Sequence, residues 1–326
     1  MITLTNATVV APAELSAPEA RAVTMLVEEI EKRTQVRLPV AHVWPKEAVP
    51  VIAVGPAAAY PAFAPDYAPT LSRELRSEGY QLRVMQGKQA PVVLIAGHDA
   101  RGVLFGIGKL LRVLRMEKQS ITLSADLNIV SAPRYPLRGH QLGYRPKTNS
   151  YDAWTLPMWE QYIRDLAVFG ANAIELIPPR SDDDADSPHF PLPPMDMMIG
   201  MSKLLDAYGL DVWIWYPAMD PDYSDPKTVD FALKEWGEVF RKLPRIDAVF
   251  VPGGDPGHTQ PKYLMNLLAK QAPVLHRYHP KAQLWVAPQG FTQAWLDEFL
   301  AILNTEHPDW LTGVVFGPQV RIPLPR

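Results

Sequence analysis

The sequence predicts an α/β protein: a small N-terminal α+β domain followed by a (β/α) barrel of the TIM type that stops after about six strands. Three observations lead there. From Leu137 onward, short apolar runs alternate with amphipathic helical segments about 35 residues apart, the pattern of parallel strands joined by crossover helices. Nearly every predicted strand in that region ends in polar or aromatic residues: Tyr144-Arg145, Glu175, Trp215-Tyr216, Asp255, Gln289 and Gln319. An open sheet concentrates function at one switch point, whereas a barrel collects it from all its strands. Before Ala132 the order is irregular, as in a separate small domain.

The elements follow in order. Thr3 to Val10 is a β-rich run. Ser16 is a candidate N-cap, Pro18 suits a first helical turn and Glu19 holds the capping-box position, so a helix runs through Ala22, Leu26 and Ile30 to about Arg33. Val51 to Gly55, Gly79 to Val84 and Val92 to Ala96 read as strands. Asp99-Ala100-Arg101-Gly102 opens a helix through Leu104, Ile107, Leu111 and Leu114. Gly106-Ile107-Gly108-Lys109 within it is not a phosphate loop. The required glycine position holds Val103 and no Ser or Thr follows Lys109, so these glycines are expected to pack helix on sheet.

Ala132-Pro133-Arg134-Tyr135-Pro136 marks a boundary, dividing the chain into residues 1–132 and a partial barrel at 133–326. Strands are expected at Leu137 to Tyr144, Asn172 to Ile177, Asp211 to Tyr216, Ala248 to Pro252, Gln283 to Ala287 and Leu311 to Phe316. Helices are expected from Asp152 or Thr155, then at Asp196 to Tyr208, Thr228 to Leu243, Lys262 to Tyr278 and Thr292 to Leu303. A closed barrel needs two more strands than these, which predicts that the sequence belongs to a longer protein.

Composition narrows the function. The 326 residues are 47% hydrophobic and 21% charged, with a net charge of −3, which makes no electrostatic case for nucleic acid or an anionic membrane as partner. With no cysteine, disulfides, thiolate catalysis and cysteine-held metals are excluded. No run is apolar enough to span a bilayer. Met1 to Pro12 lacks the pattern of a signal peptide, so the expected location is cytoplasmic, or secreted or periplasmic if a leader has been removed.

Several motifs look familiar together: Glu78-Gly79-Tyr80-x-Leu82, Asp99-Ala100-Arg101-Gly102-Val103-Leu104-Phe105-Gly106, and the Pro-Arg-Tyr-Pro-x-Arg-Gly entry from Pro133 to Gly139. In these the chain resembles the family-20 β-hexosaminidases and family-67 α-glucuronidases. The resemblance implies a glycoside hydrolase acting on O-glycosidic bonds of a hexosaminide or glucuronide, with a carbohydrate as partner and no cofactor. It implies that Arg138, of the Arg138-Gly139 pair, contacts sugar hydroxyls. It also implies a role for Asp255 in Gly253-Gly254-Asp255-Pro256, where the family-20 pattern is Gly-Gly-Asp-Glu with the Glu as proton donor. Pro256 cannot donate a proton. The family's Asn-x-x-His becomes Asn172-Ala173-Ile174-Glu175. The lost acid leaves an alternative open, a non-catalytic carbohydrate-binding relic or an inactive fragment.

Glycoside hydrolysis uses two carboxyl groups, one protonated and one ionised. Asp255 and Glu175 are the candidates. The structural alternatives are an Asx-turn or helix cap for Asp255, and an ion pair with Arg138 or Arg145 for Glu175, since a carboxylate on a buried strand is costly unless paired. Asp220 reads as a solvated loop acid. Trp215 and Tyr216 are candidate sugar platforms on opposite faces of a strand that also carries Trp213. His140, Tyr144, His258 and Gln289 complete the expected substrate-binding set. His140 and His258 lack metal-ligand spacing, and no metal is expected. The Asp182-Asp183-Asp184-Ala185-Asp186 run reads as a solvated loop without the EF-hand pattern.

Overall fold

The computed structural model describes residues 1–142, 154–180, 191–255 and 259–315. Tyr144, Arg145, the acidic run from Asp182 to Asp186, Pro256, His258 and Gln319 lie outside the described residues. The chain forms two compact units. One holds Met1–Gly139, Gln161–Asn172 and Ala207–Leu210, and the other holds His140–Glu160, Ala173–Asp206 and Asp211–Arg326.

The N-terminal unit is α/β. Its elements are β1 (Ile2–Thr3), β2 (Thr8–Val10), α1 (Ala17–Thr34), β3 (Val40–Ala41), β4 (Val51–Pro56), α2 (Tyr60–Phe63), β5 (Tyr80–Gln86), β6 (Pro91–Gly97), α3 (Ala100–Val113), β7 (Arg115–Glu117), β8 (Ser120–Leu123) and β9 (Asn128–Ser131). The β-rich run from Thr3 to Val10 is two strands in different sheets. The Ala7 amide donates to the Leu4 carbonyl at 3.0 Å, and this turn sends β1 to β8 and β2 to β4. The main sheet has the order β3-β2-β4-β6-β5-β9.

Helix α1 starts as the capping pattern predicts, with the Ser16 amide donating to Glu19 Oε2 at 2.8 Å. Helix α3 is capped by Asp99, which accepts from the Gly102 amide at 2.8 Å. The glycines of α3 serve packing, as expected. A Cβ on Gly106 would come within 2.7 Å of the Ile95 side chain of β6, and one on Gly108 within 2.9 Å of the Val168 backbone. Gly102 is tighter still: its Cβ would sit 2.2 Å from the Gly79 carbonyl oxygen. Backbone cannot retreat as a flexible side-chain tip can. Gly102→Ala is therefore expected to destabilise the fold by about 1–3 kcal/mol, read as a lowered denaturation midpoint. An unchanged midpoint would show that the helix is free to lift.

The C-terminal unit carries β10 (Gly139–Gln141), α4 (Leu156–Val168), β11 (Ala173–Leu176), α5 (Pro194–Ala207), β12 (Asp211–Trp215), α6 (Pro226–Lys242), β13 (Ala248–Val251), α7 (Pro261–Tyr278), β14 (Gln283–Val286), α8 (Gln293–Glu306) and β15 (Gly313–Val314), apart from the residues of β10, α4 and α5 that fall in the first unit. The sheet order is β10-β11-β12-β13-β14-β15, with each strand beside its predecessor in sequence. The registered pairs from β11 to β15 are all parallel. A doubly wound open sheet reverses its order at a switch point, and this one never does, which is the arrangement of a partial TIM-type barrel.

Strands in register share faces. On one face Ile174, Leu176, Val212, Ile214, Val249, Val251, Leu284 and Val286 are at most 1% exposed. The other face holds Glu175, Trp213, Trp215, Phe250 and Trp285, a mixture of aromatic surface and one acid. The β-branched run of each strand thus builds the core on one side, and its alternate positions build a candidate site on the other.

Candidate active site

Glu175 lies on β11 in register with Trp213 of β12, two residues before the strand enters the Ile177-Pro178 segment. Ile174 and Leu176 on either side are buried on the opposite face, and this alternation holds the carboxyl on the aromatic face. Burial pushes the Glu175 carboxyl up to about 7, and a hydrogen bond with Gln141 offsets only part of that. A carboxyl group poised near neutrality can donate a proton, as a general acid must. Gln141, on the neighbouring strand β10, was not among the expected residues.

Asp255 stands in the turn after β13. Gly253 takes φ +69°, and a Cβ there would lie 2.1 Å from the Ala287 carbonyl oxygen. Only glycine meets both demands. The Gly254 amide then donates to the Gln289 carbonyl at 2.9 Å, tying this turn to the one after β14. Across that junction Gln289 Nε2 donates to Asp255 Oδ2 at 2.8 Å. The two glycines set the backbone so that Asp255 and Gln289, both expected at the site, meet. Asp255 is a half-buried carboxylate aimed by an amide rather than a loose turn acid.

The aromatic residues divide between the faces. Trp213 and Trp285 stack with ring centroids 6.0 Å apart at 29°. Gly313 of β15 makes room for the Trp285 indole, since a Cβ there would come within 2.5 Å of it. Trp215 shares that face, in register with Phe250, and is 4% exposed. Tyr216, expected to touch ligand, does not face this way. It is 1% exposed and stacks on Trp236 of α6 with centroids 4.0 Å apart, so it is a core residue on the helix side. Phe250 and Trp285 were missed in the sequence, although counting alternate positions from Glu175 through the parallel register finds both. His140 is half-buried on β10, and burial holds its imidazole below the usual range, which favours the neutral ring. Among the described residues no group of His, Asp and Glu side chains could hold a metal ion.

Arg138, which the resemblance implied at sugar hydroxyls, has a structural environment in the N-terminal unit. Its guanidinium pairs with Glu78 and donates through Nε to the Gly170 carbonyl at 2.7 Å and through Nη1 to the Tyr135 carbonyl at 2.8 Å. It also lies over the Phe105 ring. Glu78 is buried and receives Arg101 Nη1 at 2.8 Å and Asn172 Nδ2 at 3.1 Å. The Glu78 amide donates to Asp99 Oδ2 at 2.8 Å. The residues that carried the family resemblance, from Glu78-Gly79 through Asp99 and Arg101 to Arg138 and Asn172, form one polar knot around the buried Glu78 and Asn172. The alternative of an ion pair between Arg138 and Glu175 is thereby corrected: the partner of Arg138 is Glu78.

Asp220 is also corrected. It is no solvated loop acid: Arg180 Nη2 reaches its Oδ2 at 3.0 Å while Arg180 Nε holds Glu235 at 2.7 Å, and the Tyr223 hydroxyl donates to Asp220 at 3.2 Å. The charges sit about 40 and 55 residues from Arg180 in the chain, so no local motif announces them.

Residues 4–110 match the family model described as the glycosyl hydrolase family 67 N-terminus. No curated protein matches the sequence. Among solved structures, a β-hexosaminidase of Streptomyces plicatus, a mutant in complex with the product GlcNAc, superposes with a TM-score of 0.66 at 14% identity, covering 97% of this chain and 71% of that one. A family GH115 4-O-methyl-α-glucuronidase with specificity for decorated arabinogalactans gives 0.64 at 13% identity, over 92% of this chain and 44% of that one. A GH20 exo β-N-acetylglucosaminidase of Vibrio harveyi gives 0.55 at 12% identity, over 87% and 51%. The N-terminal segment thus matches the glycosyl hydrolase family 67 N-terminus, and the whole chain has the fold of glycoside hydrolases.

Proposed function

We propose that the chain is a carbohydrate-active protein that hydrolyses O-glycosidic bonds of the hexosaminide or glucuronide class. The observation that carries this reading is Glu175: one acid, protonated near neutral pH, on a sheet face otherwise built of Trp213, Trp215, Phe250 and Trp285. The apolar faces of a sugar ring suit such aromatic surface, and its glycosidic oxygen needs a proton to leave. Glu175 takes the role of proton donor that the Gly-Gly-Asp-Glu pattern gives to the residue after the Asp. Asp255, held by Gln289, is the second carboxylate, orienting substrate or stabilising developing positive charge. His140 and Trp215 are proposed to contact the sugar, together with Tyr144 and His258, which lie outside the described residues.

The test is turnover of aryl glycosides and aryl glucuronides by Asp255→Asn. We expect a loss of at least about 100-fold, the usual weight of a positioned acid or base. Undiminished turnover would take Asp255 out of the mechanism. Pro256, standing where the related pattern has its acid, favours one other reading: a protein that binds sugar without cleaving it. Sugar binding by calorimetry that Trp215→Ala weakens, with no turnover in the unmodified protein, would select that reading.

A further inference from the structure

We propose that the N-terminal unit carries its own binding site for a neutral, polyhydroxylated ring such as a pyranose, in the cleft between the chain after β3, the chain after α2 and the β5–β6 turn. This site goes beyond the proposed hydrolase activity, uses none of the residues assigned to it, and stands or falls on a binding measurement alone.

The cleft has a volume of about 450 Å3, within the roughly 300–1,000 Å3 usual for small-molecule sites. Its floor is the surface of the main sheet, through Val51 and Val92. Its aromatic wall is Trp44 and Tyr67, stacked with centroids 5.2 Å apart at 20°. The wall is held in place. Trp44 Nε1 donates to the Phe63 carbonyl at 2.6 Å, and both rings pack on the buried cluster that includes Tyr60 and Ala64. Gly87 lets the phenol and the Ala90 carbonyl lie close against its backbone, since a Cβ there would stand 3.1 Å from the Tyr67 hydroxyl and 2.4 Å from the Ala90 carbonyl oxygen. Burial and the neighbouring Asp66 charge raise the Tyr67 pKa, so the hydroxyl stays protonated as a donor.

The rim decides the ligand class. It carries Lys46, Glu47, Asp66 and Lys88, two charges of each sign, with Lys88 Nζ 2.8 Å from Asp66 Oδ2. A site for a phosphate or carboxylate collects one sign of charge. A balanced set of donors and acceptors around an aromatic wall fits a ring that has hydroxyls at its edge, an apolar C–H face and no net charge. Lys88 and Asp66 are 85% and 62% exposed, so hydroxyls can take over their hydrogen bonds without disturbing the core.

The experiment is calorimetry of the full chain with cellohexaose, maltohexaose, xylohexaose and N-acetylchitohexaose, repeated with Asp66→Ala/Lys88→Ala and with Trp44→Ala. At least one oligosaccharide should bind. The double rim variant should melt like the unmodified protein and bind at least threefold more weakly, and Trp44→Ala at least tenfold more weakly. The proposal is overturned if none of the four sugars binds, or if the rim variant keeps full affinity, whatever Trp44→Ala does.

Discussion

Replacing Glu175 with Gln is expected to abolish at least about 100-fold of turnover while making the folded protein more stable above neutral pH. Both effects come from the same burial. The carboxyl moves from an ordinary 4.5 to about 7 because its charged form is desolvated on the aromatic face of the sheet. A raised carboxyl pKa means that the folded state prefers the protonated group. The favourable state is fully present below the unfolded value near 4.5 and is lost as pH rises through about 7. The cost at pH 8 is at most about 3 kcal/mol, reduced by whatever solvent screens the half-buried group. Gln keeps the shape and cannot ionise. Melting curves should therefore separate the variant from the unmodified protein at pH 8 and bring them together at pH 4. Turnover in the unmodified protein should fall on an alkaline limb centred near pH 7. A stability difference equal at both pH values would mean that the carboxyl titrates normally, and the proton-donor role would go with it.

Glu78→Ala is expected to be the most damaging single substitution, at about 3–5 kcal/mol. It leaves the Arg101 and Arg138 guanidinium groups, each about one-fifth exposed, without their shared counter-charge, and removes an acceptor from buried Asn172. Burial alone would push the Glu78 carboxyl up; hydrogen bonds from Arg101, Arg138 and Asn172 together outweigh it and hold the pKa below the usual carboxylate range. The sign is then opposite to that of Glu175. The contribution is present above the unfolded value near 4.5 and is lost as pH falls through the depressed folded one. Glu78 also sits at φ +59°, a conformation that costs a non-glycine residue of order 1 kcal/mol. Glu78→Gly relieves that strain and still loses the ion pairs. It should unfold less readily than Glu78→Ala by up to about 1 kcal/mol and far more readily than the unmodified protein. Equal stability of all three proteins in urea would show that the knot contributes nothing.

How much of this was legible in the sequence depends on the range of the interaction. The strands from β11 to β14 and helices α5 to α8 announced themselves, because β-branched runs and amphipathic periodicity are written in consecutive residues. The hairpin β7–β8 was missed. Its turn is Lys118-Gln119 with Gln119 at φ +56°, where glycine or asparagine would have signalled it. β3 and β9 are short edge strands whose pairing depends on partners far along the chain. At the candidate site, Asp255 and Glu175 stood out as acids at strand ends, and Gly253-Gly254 as a turn.

The sequence by itself determined the alternation of strand and helix, the helix starts at Ser16 with its Glu19 partner and at Asp99, and the placement of Trp213 and Trp215 on one face, because each rests on periodicity or on partners a few residues apart. Only the tertiary structure decided what those residues do. Arg138 became the partner of Glu78 across 60 residues, Gln289 the amide that holds Asp255 across 34, and Tyr216 a core ring against Trp236. A hydrogen bond or a desolvated carboxyl is set by distance and burial in three dimensions, and neither quantity exists until the strands have been laid side by side.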